Sequence, residues 1–160
     1  MSHPSLGHPP RDLSAGHPDA AAMLVANRSR VAARALEAAV DGDPTFRSRY
    51  SDLALRELLA DTEAMADRLG VAIASGEADV LGEWAEMVAP RYRKRNVPMD
   101  DMIRLAEALD AAAEAVIHPA AAASARAATD AAVAVFRWHR RLAGDARKRN
   151  PILAFLYKGA

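Results

Sequence analysis

The chain has 160 residues, the length of one ordinary domain that can bury a substantial hydrophobic core. Basic and acidic residues both number 21, so the formal net charge is zero and supplies no overall attraction to nucleic acid or anionic lipid. Cysteine is absent, which excludes disulfides, thiolate nucleophiles and cysteine metal sites. No apolar run has the roughly 18 residues of a membrane span and no signal peptide is evident, so we expect a cytoplasmic protein without a membrane span.

A segment rich in proline and histidine opens the chain. Residues 1–18 hold four of the nine prolines and three of the five histidines. Proline removes backbone donors, and the segment has no face that it could bury, so residues 1–18 are predicted to form a disordered tail. The histidines are irregularly spaced and no metal site is expected there. Residues 19–160 are predicted to form one helical domain.

Apolar residues recur at helical spacing after the tail and predict four helices before residue 118. The first is expected over residues 18–41, the second over 52–76, and the third from about residue 77. Pro90 lies inside the third helix, where its missing amide donor predicts a kink or an early break. Val97-Pro98 opens the fourth helix. The polar face of this fourth helix is expected to carry Asp100, Arg104, Glu107 and Asp110.

A fifth helix, rich in alanine, is predicted from about Ala120 to Ala143, with Gly144 as its stop. Its small residues favour close helix packing. A short sixth helix is predicted beyond Pro151, so we expect an all-α bundle of five main helices plus a short C-terminal helix. The short helix concentrates large apolar side chains that are expected to dock on the core or on a partner, as candidate partner-binding residues: Ile152, Leu153, Phe155, Leu156 and Tyr157.

Motifs for catalysis are missing from the sequence. It contains no glycine-rich phosphate loop, no G-x-S-x-G turn and no H-E-x-x-H pair, so no enzyme is expected and no catalytic residue can be nominated. Glu114 and His118 share a helical face, but a solvated pair is a better interpretation than metal ligands. His139 is expected to point inward, either as a buried histidine bonded to a backbone carbonyl or, alternatively, as a haem ligand.

Two basic clusters stand out against the neutral total, and either might contact phosphates. The first consists of Arg91, Arg93, Lys94 and Arg95. The second consists of Arg137, Arg140, Arg141, Arg147, Lys148 and Arg149. Cations near helix C-termini are also favoured by the helix dipole, and neither cluster is interleaved with stacking aromatic residues. Nucleic-acid binding is therefore kept as an alternative only.

The segment WAEMVAPRYRKRNVPMDDMIRLAEAL resembles a known pattern. In the N-terminal domains of RsbT co-antagonist regulators of the RsbR and RsbRD type, an arginine-rich helix end precedes a G-V-P/S segment that opens the next helix. Arg91–Arg95 and Val97-Pro98 match this layout, and Asn96 replaces the usual glycine. The resemblance implies a globin-like, dimeric sensor module without haem. It also places Tyr92 where the related globin-coupled sensors carry their haem-ligating histidine.

The sequence thus predicts a loosely globin-like, non-enzymatic regulatory module that acts in bacterial signalling through self-association or binding to another protein. No cofactor is expected. The first alternative is a protein that binds haem or another flat cofactor between its third, fourth and fifth helices, through Tyr92 or His139. The second is a nucleic-acid-binding protein that uses the two basic clusters.

Overall fold

The computed structural model describes the backbone of residues 15–149 and the side chains of residues 15–144. This part of the chain contains no strand, which confirms the all-α prediction for it, and none of its helices is long and apolar enough to cross a membrane. Two short 3₁₀ helices, Arg47–Arg49 and Pro119–Ala121, lie in the connections. The α-helices are α1 Pro18–Ala26, α2 Arg28–Asp41, α3 Asp52–Ser75, α4 Asp79–Lys94, α5 Met99–Glu114 and α6 Ala122–Arg149.

The predicted first helix is wrong as a single element, because Asn27 divides it into α1 and α2. Asn27 has φ −107° and ψ 7°, outside the helical region. Its side-chain amide donates to the Met23 carbonyl at 2.8 Å, and its amide oxygen accepts from Arg30 at 2.7 Å. Asparagine competes in this way with the regular helical bonds of the backbone. The break lets α1 pack on α3 while α2 packs on both α3 and α5.

The predicted ends of the second helix are confirmed in α3. The Ser51 hydroxyl accepts from the backbone N–H of Ala54 at 3.2 Å, which is an N-cap. Gly76 ends α3 with φ 73°, a left-handed conformation that glycine adopts without steric cost. Asn96, between α4 and α5, also has a positive φ of 57°. Both connections therefore turn sharply at a glycine or an asparagine, residue types that adopt a positive φ more readily than most.

Two predicted interruptions are absent from the structure. α4 continues through Pro90 to Lys94, so the expected early break is wrong. α6 continues through Gly144 to Arg149, so the expected stop at residue 144 is wrong as well. A glycine inside a helix costs only about 1 kcal/mol relative to alanine, and the alanines and long polar residues around Gly144 are good helix formers. The helix therefore propagates across it.

Small residues bring α4 and α6 close together. A side chain added at Gly82 would lie 3.4 Å from the Cβ atom of Ala131, which is tight van der Waals contact. Small residues of the predicted fifth helix face the core and are fully buried at Ala121, Ala125, Ala128 and Ala132. Larger core side chains, including Phe136 and Tyr92, fill the space between the helices on this side of the bundle.

α5 and α6 are antiparallel neighbours. Arg140, late in α6, pairs with Asp100 at the start of α5. Arg126, early in α6, pairs with Glu114 at the end of α5. α6 has 28 residues and α5 has 16, so α6 extends well beyond the start of α5. The residues of α6 after Arg140 therefore lie beyond the first turn of α5, and Ala143 among them is still fully buried.

Several helix termini meet at this same end of the bundle, which we call the α6 end. His139 of α6 contacts Arg93 in the last turn of α4. Arg95, directly after α4, reaches Glu57 near the start of α3. The connection from α2 to α3 also lies here, since it contacts the start of α5 as described below. The α6 end thus gathers loops and charged side chains that the helices hold in place.

The chain enters the bundle at the opposite end of α3. The backbone N–H groups of Gly16 and His17 donate to the carbonyls of Ala74 and Ile73, both at 2.8 Å. A Cβ atom at Gly16 would overlap the Ile73 carbonyl oxygen, so this approach requires glycine. Of the predicted tail, residues 1–14 lie outside the described part of the chain.

Candidate functional site

The first basic cluster makes contacts within the chain. Arg95 donates to Asp61 at 2.6 Å and to Glu57 at 3.0 Å, and its guanidinium lies 5.7 Å from the centre of the Tyr92 ring. These interactions pin the α4 terminus to α3. Arg93 points the other way, to His139 on α6. Two of the four cations in this cluster therefore hold helices together.

The second basic cluster is also partly paired. Arg137 lies 3.4 Å from Glu107, and Arg140 lies 2.5 Å from Asp100, so both connect α6 to α5. All four side chains are about half exposed, and such pairs each contribute less than about 1 kcal/mol. Their charges are nevertheless balanced by neighbouring carboxylates.

Nucleic-acid binding by the remaining members of the two clusters stays a prediction. Exposed cations with no acidic partner within the described residues are Arg91, Lys94 and Arg141. The side chains of Arg147, Lys148 and Arg149 lie outside the described part of the structure. The described surface therefore has less uncompensated positive charge than the sequence clusters alone indicate.

His139 is buried between α6 and α4, as the sequence predicted for its direction. Its Nδ1 atom lies 2.6 Å from Nη1 of Arg93, and its Nε2 atom lies 2.9 Å from a carboxylate oxygen of Glu86. A guanidinium can only donate, so Nδ1 accepts and Nε2 carries the proton that is donated to Glu86. The imidazole is therefore neutral. Its partner is a carboxylate rather than the backbone carbonyl that we expected.

The two partners of His139 lie on either side of Pro90. Proline has no N–H for the Glu86 carbonyl one turn earlier, so the regular α4 ladder is interrupted between Glu86 and Arg93. His139 connects these two turns from the neighbouring helix. With both ring nitrogens engaged, the structure assigns His139 a packing role, and a haem or metal ligand would have to displace one of these contacts.

Tyr92 is buried in the core. Its side chain packs edge-on against Phe136, with ring centres 6.5 Å apart. Burial, with a smaller effect from Asp61, raises the pKa of the Tyr92 hydroxyl far above its usual range, so this group stays protonated. Neither Tyr92 nor His139 lines any of the cavities described below. The geometry therefore favours a core tyrosine.

A network of charged residues, which sequence reasoning missed, joins the α2–α3 connection to α5. Its centre is Asp101, whose side chain is only 3% exposed. Arg49 donates to it through Nη2 at 2.7 Å and through Nε at 3.2 Å, and the Tyr50 hydroxyl donates at 2.5 Å. Arg104 adds a longer contact of 3.4 Å. Each oxygen of Asp101 thus accepts at least two hydrogen bonds.

Asp43 completes this corner network, which we define as Asp43, Arg49, Tyr50, Asp101 and Arg104. Asp43 accepts from Arg49 at 2.8 Å and from Arg104 at 2.9 Å, and its other oxygen accepts from Thr45. Arg49 and then Thr45 hold the pKa of the Asp43 carboxyl far below its usual range. Burial and then Asp101 raise the pKa of Tyr50.

A surface cavity of about 510 Å³ lies beside the corner network. Besides members of the network, it is lined by Pro98, Asp100, Ile103 and Glu107. The carboxylates that face it are already paired with arginine, so none is set up as a general base or as a ligand for a cation. Asp101 lies in the first turn of α5, which the sequence predicted after Val97-Pro98, but nothing in the sequence indicates that Arg49 is its partner. The network is best explained as a structural link between the α2–α3 connection and α5.

The polar face predicted for the fourth helix is wrong at Asp110, which is buried at the α5–α6 interface. One carboxylate oxygen is 2.5 Å from Nε of Arg126, and the other has no hydrogen-bond partner. Burial raises the pKa of Asp110, against the effect of Arg126. The hydroxyl of Thr129, also on α6, is buried without a hydrogen-bond partner in the described structure. This interface therefore carries unsatisfied polar groups rather than a solvated face.

Glu114 and His118 do not come together. Glu114 accepts from Arg126 at 2.9 Å, and Nδ1 of His118 accepts from the backbone N–H of Ala120 at 3.2 Å as a helix cap. No group of three or more histidine, aspartate or glutamate side chains with metal-binding geometry occurs in the described part of the chain.

An open apolar recess lies between α2 and α3, near the α6 end. We call it the α2/α3 groove, and its volume is about 330 Å³. Its lining is mostly aliphatic and consists of Ala33, Leu36, Val40, Leu55 and Leu59. Its charged rim consists of Glu37, Asp41 and Arg47. Leu36, Val40 and Leu59 are only partly buried, so this part of the core surface remains open.

The groove is the described surface that best fits recognition of another chain. Arg47 pairs loosely with Asp52, both well exposed. Glu37 and Asp41 have no cationic partner among the described residues. Aliphatic walls with a polar rim are the usual composition of a protein-binding groove. The sequence did not predict this groove, because helical spacing does not show which apolar residues of two neighbouring helices stay uncovered.

The partner-binding residues that the sequence nominated lie outside the described residues. These are Ile152, Leu153, Phe155, Leu156 and Tyr157. Comparison of the chain with protein-family models, with curated proteins and with solved structures finds no match. The resemblance to RsbT co-antagonist domains therefore rests on the short motif alone.

Proposed function

We propose that this chain is a non-enzymatic regulatory module that works by binding another protein chain through the α2/α3 groove. The observation that carries the proposal is the exposure of aliphatic side chains from two facing helices in one recess. Large apolar side chains that line an open recess gain free energy when a partner removes them from water, by roughly 25 cal/mol for each Å² covered.

The described charged groups support binding rather than catalysis. The corner network satisfies its own hydrogen bonds, and His139 uses both nitrogens within the fold. An active site needs at least one acid, base or nucleophile that faces an accessible substrate position. In the cavity beside the corner network the carboxylates are paired with arginine, whereas the groove offers an open aliphatic recess. The motif similar to RsbT co-antagonist domains supports a regulatory role in bacterial signalling.

A site-specific photocrosslinking experiment tests this function. A photoreactive amino acid replaces Leu59, inside the groove, and in the control replaces Leu53, which is 66% exposed and outside it. We expect the groove position to give a protein adduct of defined mass on irradiation in cells, and the control position to give much less. If position 59 yields no protein adduct, or if both positions yield the same set of adducts, the groove is not a binding site.

A further inference from the structure

We infer that the α2/α3 groove receives the C-terminal segment of a second copy of this chain, residues 151–157 with the sequence PILAFLY. This inference rests on the proposed function and names its partner. The two surfaces have the same chemistry. The groove presents the aliphatic side chains of Leu36, Val40, Leu55 and Leu59, and the segment supplies Ile152, Leu153, Phe155 and Leu156.

The charges around the two surfaces are complementary. The groove rim carries Glu37 and Asp41, which have no cationic partner among the described residues. The apolar segment is preceded by Arg147, Lys148 and Arg149 and followed by Lys158. A segment with cations on both sides therefore matches an aliphatic recess whose rim holds two unpaired carboxylates.

The packing of α6 favours a second copy over the same molecule. Arg140 pairs with Asp100 at the start of α5, and α6 continues for nine more residues to Arg149, about 13 Å further along its axis. α6 packs mainly on α4 and α5, whereas the groove lies between α2 and α3, near the same end of the bundle, and no residue of α4, α5 or α6 lines it. We therefore assign the segment in the groove to a second copy, since a reciprocal exchange between two copies gives a closed two-fold dimer.

A complementation experiment between two variants tests this arrangement. Leu36→Asp damages the groove but leaves the segment intact, and Leu156→Asp damages the segment but leaves the groove intact. Each change places a charge in an apolar contact, so each should weaken dimerisation more than about tenfold in light scattering or sedimentation. In a mixture of the two variants, one groove and one segment are intact, and we expect dimer mass to reappear. Leu53→Asp, outside the groove, should leave the dimer unchanged.

A second variant keeps the test independent of damage to the core. Glu37→Lys with Asp41→Lys changes only exposed rim residues, and far-UV circular dichroism should show unchanged helix content. It should weaken the dimer several-fold at low salt, and the effect should fade as salt screens the repulsion.

The outcomes separate this inference from the proposed function. Suppose that Leu36→Asp weakens association and the photocrosslinker at position 59 gives a protein adduct, while Leu156→Asp has no effect on association. The groove then binds a different partner, and the inference is overturned. If the mixture shows no dimer, or if the unmodified protein stays monomeric at high concentration, exchange between copies is overturned and docking within one molecule remains. If neither position 36 nor position 59 affects any association, both proposals are overturned.

Discussion

Asp101→Asn is expected to lower the free energy of unfolding by about 3 kcal/mol. The substitution keeps the shape of the side chain but removes its charge and replaces one acceptor oxygen with a donor group. Arg49, Tyr50 and Arg104 all donate to the carboxylate, which is 3% exposed. Removing one partner of a buried ion pair costs about 3–5 kcal/mol, and the lower value applies because Arg49 is 31% exposed and regains some hydration.

The adjacent residue provides a matched control. Asp100 also pairs with an arginine, but the side chains of Asp100 and Arg140 are 60% and 48% exposed. Asp100→Asn should therefore cost less than about 0.5 kcal/mol. Urea unfolding followed by far-UV circular dichroism measures both values, with the slope against urea expected to stay constant. A loss below about 1 kcal/mol for Asp101→Asn would show that the corner network contributes little to stability.

Four other predictions follow from the described contacts. Asp110→Asn should change stability at neutral pH by less than about 1 kcal/mol, or increase it, because the buried carboxylate has an unpaired oxygen and a raised pKa; a loss as large as that of Asp101→Asn would contradict this explanation. The pKa of the Asp43 carboxyl is lowered in the folded state, so its carboxylate stabilises the fold above pH 3.8, its ordinary pKa, and this stabilisation is lost as the pH falls below that value. Asp43→Asn should therefore reduce the pH dependence of the unfolding free energy in acid, and an unchanged acid profile would argue against the arginine contacts. Gly16→Ala should destabilise the contact with the end of α3 and speed amide exchange at residues 16 and 17, whereas unchanged exchange would mean that the chain entry is not close-packed. The ¹⁵N chemical shifts of His139 should report a neutral ring with the proton on Nε2, and a proton on Nδ1 would refute the contact with Arg93.

Helical periodicity was sufficient to predict the class of the fold and most helix ends. Ser51 and Gly76 act where their residue types predict, because a cap and a left-handed terminus are local properties of the chain. Asn27 and Gly144 show the limit of such signals. Asn27 breaks a helix through local bonds that favour two packing directions, while Gly144 remains helical because propagation outweighs its modest penalty.

The charged interior was less predictable, because its contacts join distant parts of the chain. Arg49 and Asp101 are 52 residues apart, and nothing in either local sequence identifies the other as its partner. His139 was predicted to point inward, but its partners depend on how α4 and α6 align. The α2/α3 groove was missed for a related reason. Periodicity identifies apolar stripes, but it does not show which part of a stripe the neighbouring helices fail to cover.

The bridge across Pro90 fixes the length of one short stretch of chain. His139 contacts Glu86 and Arg93 at the same time, and these two residues are seven positions apart, or nearly two full turns of α4. One inserted or deleted residue between them would rotate Arg93 by about 100° and shift it by about 1.5 Å, so a single imidazole would no longer reach both groups. Homologous chains that keep this histidine should therefore show no insertions or deletions between the two positions, even where the exposed residues around them vary freely.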